Sequence, residues 1–479
     1  MEPGFGISWI YWGLVVIYAV TILSIIAIVV SENRNPVKSL AWVTVLLVVP
    51  AIGLLLYFLF GRSLRNKRFI TRSNRRKLKK HEPARPFIPA HHVSLSDSSC
   101  QQIKLGQSLV GAPFYNNNTA EIFDNGTDKF AALKEDIRNA RHYIYLQYYI
   151  FENDNIGSEI ADMLIEKASE GIEIKVIYDH VGSFKTRKRF FKRMRRAGIE
   201  AYPFFKVKFP FFGSRINWRN HRKIVIIDGV TGYIGGMNIA DRYITGGKFS
   251  SWRDIHLRVR GPIVRSLNHS FATDWNFMGR PVPDGKALGN IPESNLPKVG
   301  AQLVTSGPTG QWSNVGLLFL KAIGNAQKSI YIQTPYFLPT EGLLKALQAA
   351  ALSKIDVRVM IPRRSDSDML RFASASYIGE CLRSGIKIYL YDKGMLHSKM
   401  VIVDDEFVTI GSTNFDFRSF EHNFESNLFI YSREFNEQAK KQFLSDQADS
   451  IRVLPYDWKK RPLILKAIES VTRLFSPIL

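Results

Sequence analysis

His221, Lys223 and Asp228 return as His397, Lys399 and Asp404, and Gly235 and Asn238 return as Gly411 and Asn414, all displaced along the chain by one constant interval. Composition alone fills any one such position about one time in twenty, so two matching copies point to one site built from two half-sites. In each copy the His and Lys stand two apart at the head of an apolar run, IVIID or MVIVD, which reads as a central strand buried on both faces. A period of two turns both side chains to one face. A phosphodiester is anionic and its alkoxide is a poor leaving group, so cleaving one needs a nucleophile, a proton donor and cations around the phosphoryl oxygens. Two histidines, two lysines and two asparagines supply all three. In a single copy, a His and a Lys opening a strand could be solvated edge residues; the duplication removes most of the weight of that reading.

The elements that must hold these residues are repeated as well. IYLQ at residues 144–147 answers IYIQ at 330–333, and GIEIKVI at 171–177 resembles KIDVRVM at 354–360. All four read as buried strands. Gly198-Ile199-Glu200 pairs with Gly385-Ile386-Lys387, and apolar helical periodicity over 160–168 and 343–352 falls between strands in each copy. Strands alternating with helices predict two α/β halves. The proline- and glycine-bearing stretch 279–297 suits the connection between them.

At 479 residues the chain exceeds what one hydrophobic core usually serves. Cys100 and Cys381 lack metal-ligand spacing and give no disulfide framework, which suggests free thiols in a reducing compartment and no zinc site. A formal charge of +23 implies acidic partners, nucleic acid or anionic lipid. The N-terminus chooses between them. Residues 7–30 and 40–60 carry no charge, and each run is long enough to cross a hydrocarbon core of about 30 Å as a helix. MEPGFG has no Lys or Arg and no small-residue cleavage site follows, which disfavours a secretory signal. Residues 31–39 are too few for a domain, so the two transmembrane helices should form a hairpin, with Pro50 a tolerated kink in the second. Arg62, Arg65, Lys67, Arg68, Arg72, Arg75, Arg76, Lys77, Lys79 and Lys80 follow, against Arg34 and Lys38 in the loop, which places the body on the cytoplasmic side and gives cations for anionic headgroups. HEPARPFIPAHH at 81–92 reads as an extended linker.

HRKIVIID with GGMN and HSKMVIVD with GSTN resemble the paired HKD motifs of the phospholipase D superfamily. Two spans ahead of a duplicated body, with the leader RNPVKSLAWVTVLLVVPAIGLLLYFLFGR, are similar to bacterial cardiolipin synthases over essentially the whole length. That resemblance implies duplicated phospholipase D-like α/β/α sandwich domains forming a pseudo-two-fold bilobed body behind the membrane hairpin. The expected divisions are a hairpin anchor at 1–62, a basic, proline-containing linker at 63–100, a first domain at 101–285 and a second at 286–479. The resemblance further implies transfer of a phosphatidyl group between two phosphatidylglycerol molecules at an anionic bacterial membrane, with release of glycerol and no metal, cofactor or nucleic acid. In the usual order of the family His221 is the nucleophile and His397 the acid and base, although swapped roles remain open. Lys223, Lys399, Asn238 and Asn414 would hold the phosphoryl oxygens, with Gly235, Gly411 and Ser412 beside them.

A carboxylate on the second ring nitrogen would orient each histidine. Glu425 follows His397 at the spacing where family members carry the glutamate that fixes the histidine; the same spacing from His221 falls on Phe249. Asp254 in WRDIH is therefore the expected substitute in the first half, with a surface ion pair to Arg253 as the competing reading. Asp228 and Asp404 belong to the catalytic motif, yet at the ends of their strands they are expected to position turns rather than move protons. A membrane-tethered hydrolytic phospholipase D or a nuclease of the same superfamily is the alternative function, and a lipid-binding protein that keeps only the fold is the non-enzymatic one.

Three further stretches bear on the membrane. FFKVKFPFFGSRINW, from Phe204 to Trp218, interleaves aromatics with Lys206, Lys208 and Arg215 and suits a lipid interface, a buried loop or a single-stranded nucleic acid, in that order. The basic run 185–196 reads as the solvated face of a helix. LILKAIESVTRLFSPIL at 463–479 is amphipathic and could lie on a membrane, with packing on the body slightly favoured.

Overall fold

A computed structural model describes residues 4–31, 36–49, 52–53, 57, 95–206, 218–283 and 295–476. The chain separates into one unit of Met1–Leu64 with Val207–Asn217 and another of Arg65–Lys206 with Trp218–Leu479. Residues 63–94 of the expected basic linker, Pro50, most of residues 204–218 and the expected boundary at 285/286 lie outside the described residues, while a helix, Asp97–Val110, begins within the last residues assigned to the linker.

In the first unit a helix, Gly4–Ser31, carries no acidic or basic residue over its 28 positions, and a second, Pro36–Val48, packs on it. Val29, Ile25 and Ile26 of the first cluster with Leu46, Trp42 and Val43 of the second, so the two helices lie packed against each other. Residues 4–8, 10, 28 and 30–31 of the first helix are described by their backbone alone. Among the described residues no helix is long and apolar enough to cross a membrane.

The second unit is built on one mixed sheet of 15 strands. From one edge the order is Ser450–Arg452, Lys387–Tyr391, Asp356–Pro362, Ser329–Gln333, Met400–Val403, Phe407–Gly411, Glu425–Tyr431 and Val299–Ser306. It continues with Phe114–Phe123, His256–Arg260, Thr231–Gly235, Ile224–Ile227, Tyr143–Tyr148, Glu173–Asp179 and Glu200–Phe204. Read outward from the middle, both halves use the same order, and the edge strand Ser450–Arg452 has no counterpart. The expected duplication is therefore present, but the two halves share one sheet. They are joined where Phe114 pairs with Gln302 and Tyr115 with Ala301, antiparallel. Asn117, at φ 61°, bulges out of that seam before Asn118 pairs with Val299.

Local sequence explains the rest. Helix Asn155–Ser169 buries Ile156, Ile160, Ala161 and Leu164, and helix Glu341–Leu352 buries Leu343, Leu344, Leu347 and Ala350, each an apolar stripe laid on the sheet between parallel strands. The Gly-Ile echo marks where a helix stops and the next strand starts: Gly198 and Gly385 take φ 87° and 92°, the left-handed conformation that glycine adopts without a Cβ penalty. In the basic run, helix Lys188–Arg196 buries Phe190, Phe191 and Met194 and leaves most of its cations in solvent, as expected of a solvated face.

Asp228 and Asp404 sit in matching turns at φ 52°. The Asp228 carboxylate accepts backbone N–H bonds from Arg141, His142 and Tyr143 at 2.8–2.9 Å, and Asp404 accepts from Gln327, Lys328 and Ser329 at 2.7–2.9 Å. Although both belong to the motif, each positions its turn as expected: it clamps the entry to a neighbouring strand, at the opposite end of its own strand from the histidine. Replacing either with Ala strips three donors of their acceptor and should cost about 2–4 kcal/mol of stability. Chemical denaturation should show that loss, while kcat measured well below the lowered Tm stays within about threefold; a loss of kcat equal to that of a histidine variant would return these aspartates to the chemistry.

Candidate active site

The two histidines lie just before the strands Ile224–Ile227 and Met400–Val403, and all four motif side chains, His221, Lys223, His397 and Lys399, are buried. Each histidine is oriented by the opposite half. His221 Nδ1 lies 3.0 and 3.1 Å from the two carboxylate oxygens of Glu425, and His397 Nδ1 lies 2.6 Å from Asp254 Oδ2. This corrects the pairing within halves expected from spacing. It also disposes of the surface ion pair for Asp254, which is wholly buried; Arg253 instead pairs with Asp446 at 2.8 Å.

Backbone pairing produces the crossing. His221 N donates to Phe424 O at 2.9 Å and Phe424 N to Arg219 O at 2.8 Å, so the segment before the first motif runs beside the residue preceding Glu425. On the other side Met395–Leu396 forms a parallel pair with Trp252–Arg253, and His397 N donates to Arg253 O at 2.7 Å. Strand register shows why constant spacing located Glu425 and missed its partner. Gly411 pairs with Asn427 and Gly235 with His256, so Glu425 and Asp254 each stand two residues before the glycine's partner and are structural equivalents. The loop ahead of Asp254 is longer, and a fixed interval from His221 falls on Phe249 instead.

The glycines make room for this packing. A Cβ on Gly235 would come within 2.5 Å of His256 Cα, and one on Gly411 within 2.5 Å of Asn427 Oδ1. Next along the chain the copies diverge. Gly236 leaves space for Asp254, whose Cγ would be 2.8 Å from a Cβ there, whereas Ser412 donates its hydroxyl to Glu425. Asn423 Nδ2 adds a second donor to Glu425 at 3.1 Å.

Burial lowers the pKa of His221 to about 4, with Glu425 opposing and Lys223 reinforcing the shift. Burial, then Lys399, also holds His397 below the usual imidazole range against the pull of Asp254. Both rings are therefore neutral at neutral pH. Nδ1 of each faces a carboxylate and so carries the hydrogen, which leaves the Nε2 lone pair for chemistry. Lys399 Nζ is also 2.7 Å from His397 Nδ1. An Nδ1 that donates its hydrogen to Asp254 has no in-plane lone pair left to accept from Lys399; the carboxylate at 2.6 Å takes precedence, and the ammonium donates to His397 O. Burial brings Lys399 down to about 8 and Lys223 well below the ordinary lysine value. Glu425 and Asp254 stay below the usual carboxylate range despite burial, because His221 with Lys223 and Lys399 with His397 face them.

Asn238 is more committed than expected. Its Nδ2 donates to the Tyr243 hydroxyl at 2.8 Å and its Oδ1 accepts from Ile150 N at 3.0 Å, and Asn414 hydrogen bonds Asp416. One amide hydrogen remains on each for a ligand. Two half-buried residues escaped the sequence reading. Tyr149 meets the His221 ring edge-on at 5.0 Å, and Arg418 lies close enough to it for their charges to interact. Arg418 was within reach of the repeat, because Arg242 precedes it by the interval that separates the two motifs.

Residues 133–275 and 319–447 match the family described as cardiolipin synthase, PLD-like domain, and residues 14–62 match the phospholipase D-nuclease N-terminal family. The chain is 39% identical to the major cardiolipin synthase of Bacillus subtilis, over 96% of this chain and 98% of that one. It is 37% identical to a cardiolipin synthase of Geobacillus, over 98% and 95%. Among solved structures, a phosphatidylserine synthase of Haemophilus influenzae shares the fold at a TM-score of 0.61 and 15% identity, covering 79% of this chain and all of that one.

The crossed pairing has a thermodynamic signature. In double-mutant cycles read by denaturation, Glu425→Gln and His221→Gln should couple by about 1–3 kcal/mol, while Glu425→Gln and His397→Gln add to within about 0.5 kcal/mol. Coupling of Glu425 to His397 alone would contradict the geometry.

Proposed function

The chain belongs to the cardiolipin synthases, a family built on duplicated phospholipase D-like domains, and its activity is cardiolipin synthesis; we propose that this activity proceeds by metal-independent phosphatidyl transfer through a covalent phosphohistidine. The observation that carries the proposal is the pair of buried histidines, each neutral, each held at Nδ1 by a carboxylate of the opposite half.

The Nε2 lone pair of His221 attacks the phosphorus of one phosphatidylglycerol. The P–O bond to the headgroup glycerol breaks, and His397, neutral in the free site but protonated once the anionic phosphodiester is bound, gives its proton to the departing oxygen. His397, now neutral, takes the proton from the terminal hydroxyl of a second phosphatidylglycerol. That oxygen attacks phosphorus, the P–N bond breaks, and cardiolipin leaves with His221 restored. Lys223 and Lys399 supply positive charge to the phosphoryl oxygens in a site dry enough for charge to act strongly, which is the electrostatic work a metal does elsewhere. Asn238 and Asn414 contribute their remaining amide hydrogens, and Glu425 and Asp254 stabilise each imidazolium as it forms.

As a family member the protein is membrane-associated. We read residues 7–30 and 40–60 as its two spans, with the body on the cytoplasmic side. Their freedom from charge, the match of residues 14–62 to an N-terminal family and the packed pair of helices support this. The substrates are then phosphatidylglycerol drawn from the anionic membrane in which cardiolipin accumulates.

Detergent-purified protein supplied with phosphatidylglycerol liposomes and a chelator should release cardiolipin and glycerol in equal amounts, with both lost in His221→Ala and His397→Ala. Acid-labile label from quenched turnover should sit on a peptide containing His221; label on His397 alone would reverse the two roles, and phosphatidic acid as the sole product would mark a hydrolase.

The acid limb of kcat/KM offers a second check. His221 must be neutral to attack, and burial sets its pKa at about 4, so activity should persist as pH falls below the ordinary imidazole range and fail near 4. On the alkaline side activity should first decline as His397, which must enter protonated and which burial and Lys399 hold below the ordinary imidazole range, loses its proton, and decline again above about 8 as buried Lys399 gives up its own. An acid limb at about 6.5, the free imidazole value, would show that the catalytic ring is not desolvated.

A further inference from the structure

The C-terminal helix Leu463–Leu474 is turned inside out relative to a surface helix of a soluble domain. Its inward face is ionic. Glu469, nearly fully buried, receives Arg461 Nη2 at 3.0 Å, and Arg473 Nη1 meets Glu380 Oε1 at 2.6 Å on the underlying helix Asp368–Ser384. Its outward face is apolar. Leu463, Ile464, Val471 and Leu474 are 81, 67, 56 and 78% exposed, and Ala467, Ile468 and Phe475 complete the same arc, where Ser470 is the one polar side chain.

The packing slightly favoured from sequence is therefore present, with the polar groups taking the packed side and the apolar arc left facing outward. An ordinary protein surface scatters such side chains singly; a continuous stripe marks a contact. The rim is basic: exposed Lys459 and Lys460 precede the helix, and Lys466 lies along it, its Nζ donating to Lys459 O at 2.7 Å. Tyr456, 68% exposed under Lys460, adds an aromatic of the kind found where one end of a side chain is dry and the other wet.

We propose that this face is a membrane-docking surface of the catalytic body, seated in the interfacial layer of an anionic bilayer. Large apolar side chains flanked by lysines complement acyl chains under negative headgroups, and the whole chain carries +23. Ion pairs facing inward hold the helix to the body, so that docking fixes the orientation of the body as well as its distance from the lipid. The inference depends on the lipid-substrate reading only for its activity readout.

The test uses the full-length protein in vesicles of phosphatidylglycerol and phosphatidylcholine. The variant is Ile464→Glu with Val471→Glu, and Leu352→Glu, exposed on another helix, is the control. The double variant should turn over vesicle phosphatidylglycerol at least fivefold more slowly while keeping its rate on dispersed short-chain phosphatidylglycerol within twofold, and the control should change neither. Equal losses on both substrates would overturn the proposal.

A fluorophore on Leu474→Cys, in a Cys100→Ser background that leaves buried Cys381 in place, reads docking without turnover. Emission should shift to the blue in anionic vesicles and be quenched by lipids spin-labelled near the headgroup. Persistent quenching by aqueous iodide would overturn the proposal. So would a shift that follows protein density without lipid quenching, which would assign the face to a second copy of the chain.

Discussion

The site depends on one constraint: a buried imidazole reacts at Nε2 only if something holds the hydrogen on Nδ1, and here that group comes from the other half of the chain. Neither half can orient its own histidine. The joint between the halves is for that reason part of the chemistry. The seam of Phe114–Phe123 against Val299–Ser306 turns two repeats into one sheet, and short parallel contacts carry each HxK segment alongside the opposite carboxylate. A slip of the seam by one residue would move every side chain to the other face of its strand and part both pairs together.

Burying four cationic or potentially cationic groups with two carboxylates is costly unless every charge is met. The surroundings are arranged accordingly. Arg222, between His221 and Lys223, donates to Asp274 at 2.7 Å, and Gln147 donates to the same carboxylate. Across the pseudo-two-fold, Arg253 donates to Asp446 at 2.8 Å, and Gln333 donates to it at 2.7 Å. The equivalent cluster is built from different places, since Arg222 belongs to a histidine segment and Arg253 to a carboxylate segment. The same dryness that makes these networks necessary lowers both lysines and both histidines. It also discourages water from intercepting the phosphoenzyme.

The repeat disclosed both HxK pairs, the α/β halves and the glycines, because these are fixed by local spacing and by the period of strands and helices, whereas Glu425 came from the family's spacing and Asp254 only as its substitute. What spacing could not disclose was partnership. Glu425 was expected beside His397, its neighbour in the second copy, and holds His221, 204 residues away, because strand pairing brings them together. Asp254 was weighed against a surface ion pair because its burial is set by Gly236 and the sheet behind it. Arg418 was missed for a different reason. It repeats Arg242 at the common interval, and both are half-buried, but the first copy pairs with Glu152 while the second lies by Tyr149, so identical residues serve unlike surroundings.

That divergence between copies bears on how a duplicated device comes to have two roles. Glu425 shares its charge with Ser412 and Asn423 as well as His221, while Asp254, one methylene shorter and fitted against Gly236, has Ile255 N and His397 as its side chain's hydrogen-bond partners among the described residues. A carboxylate with more donors is a weaker stabiliser of the imidazolium it faces. Under the proposed assignment, the histidine that must stay neutral to attack phosphorus faces the dispersed carboxylate. The histidine that must carry a proton faces the concentrated one. Lys399 acts against that preference, since its cation beside His397 resists protonation of the ring. An anionic phosphodiester arriving between them would draw on the lysine's charge and so weaken that resistance, which ties proton loading of His397 to the presence of substrate.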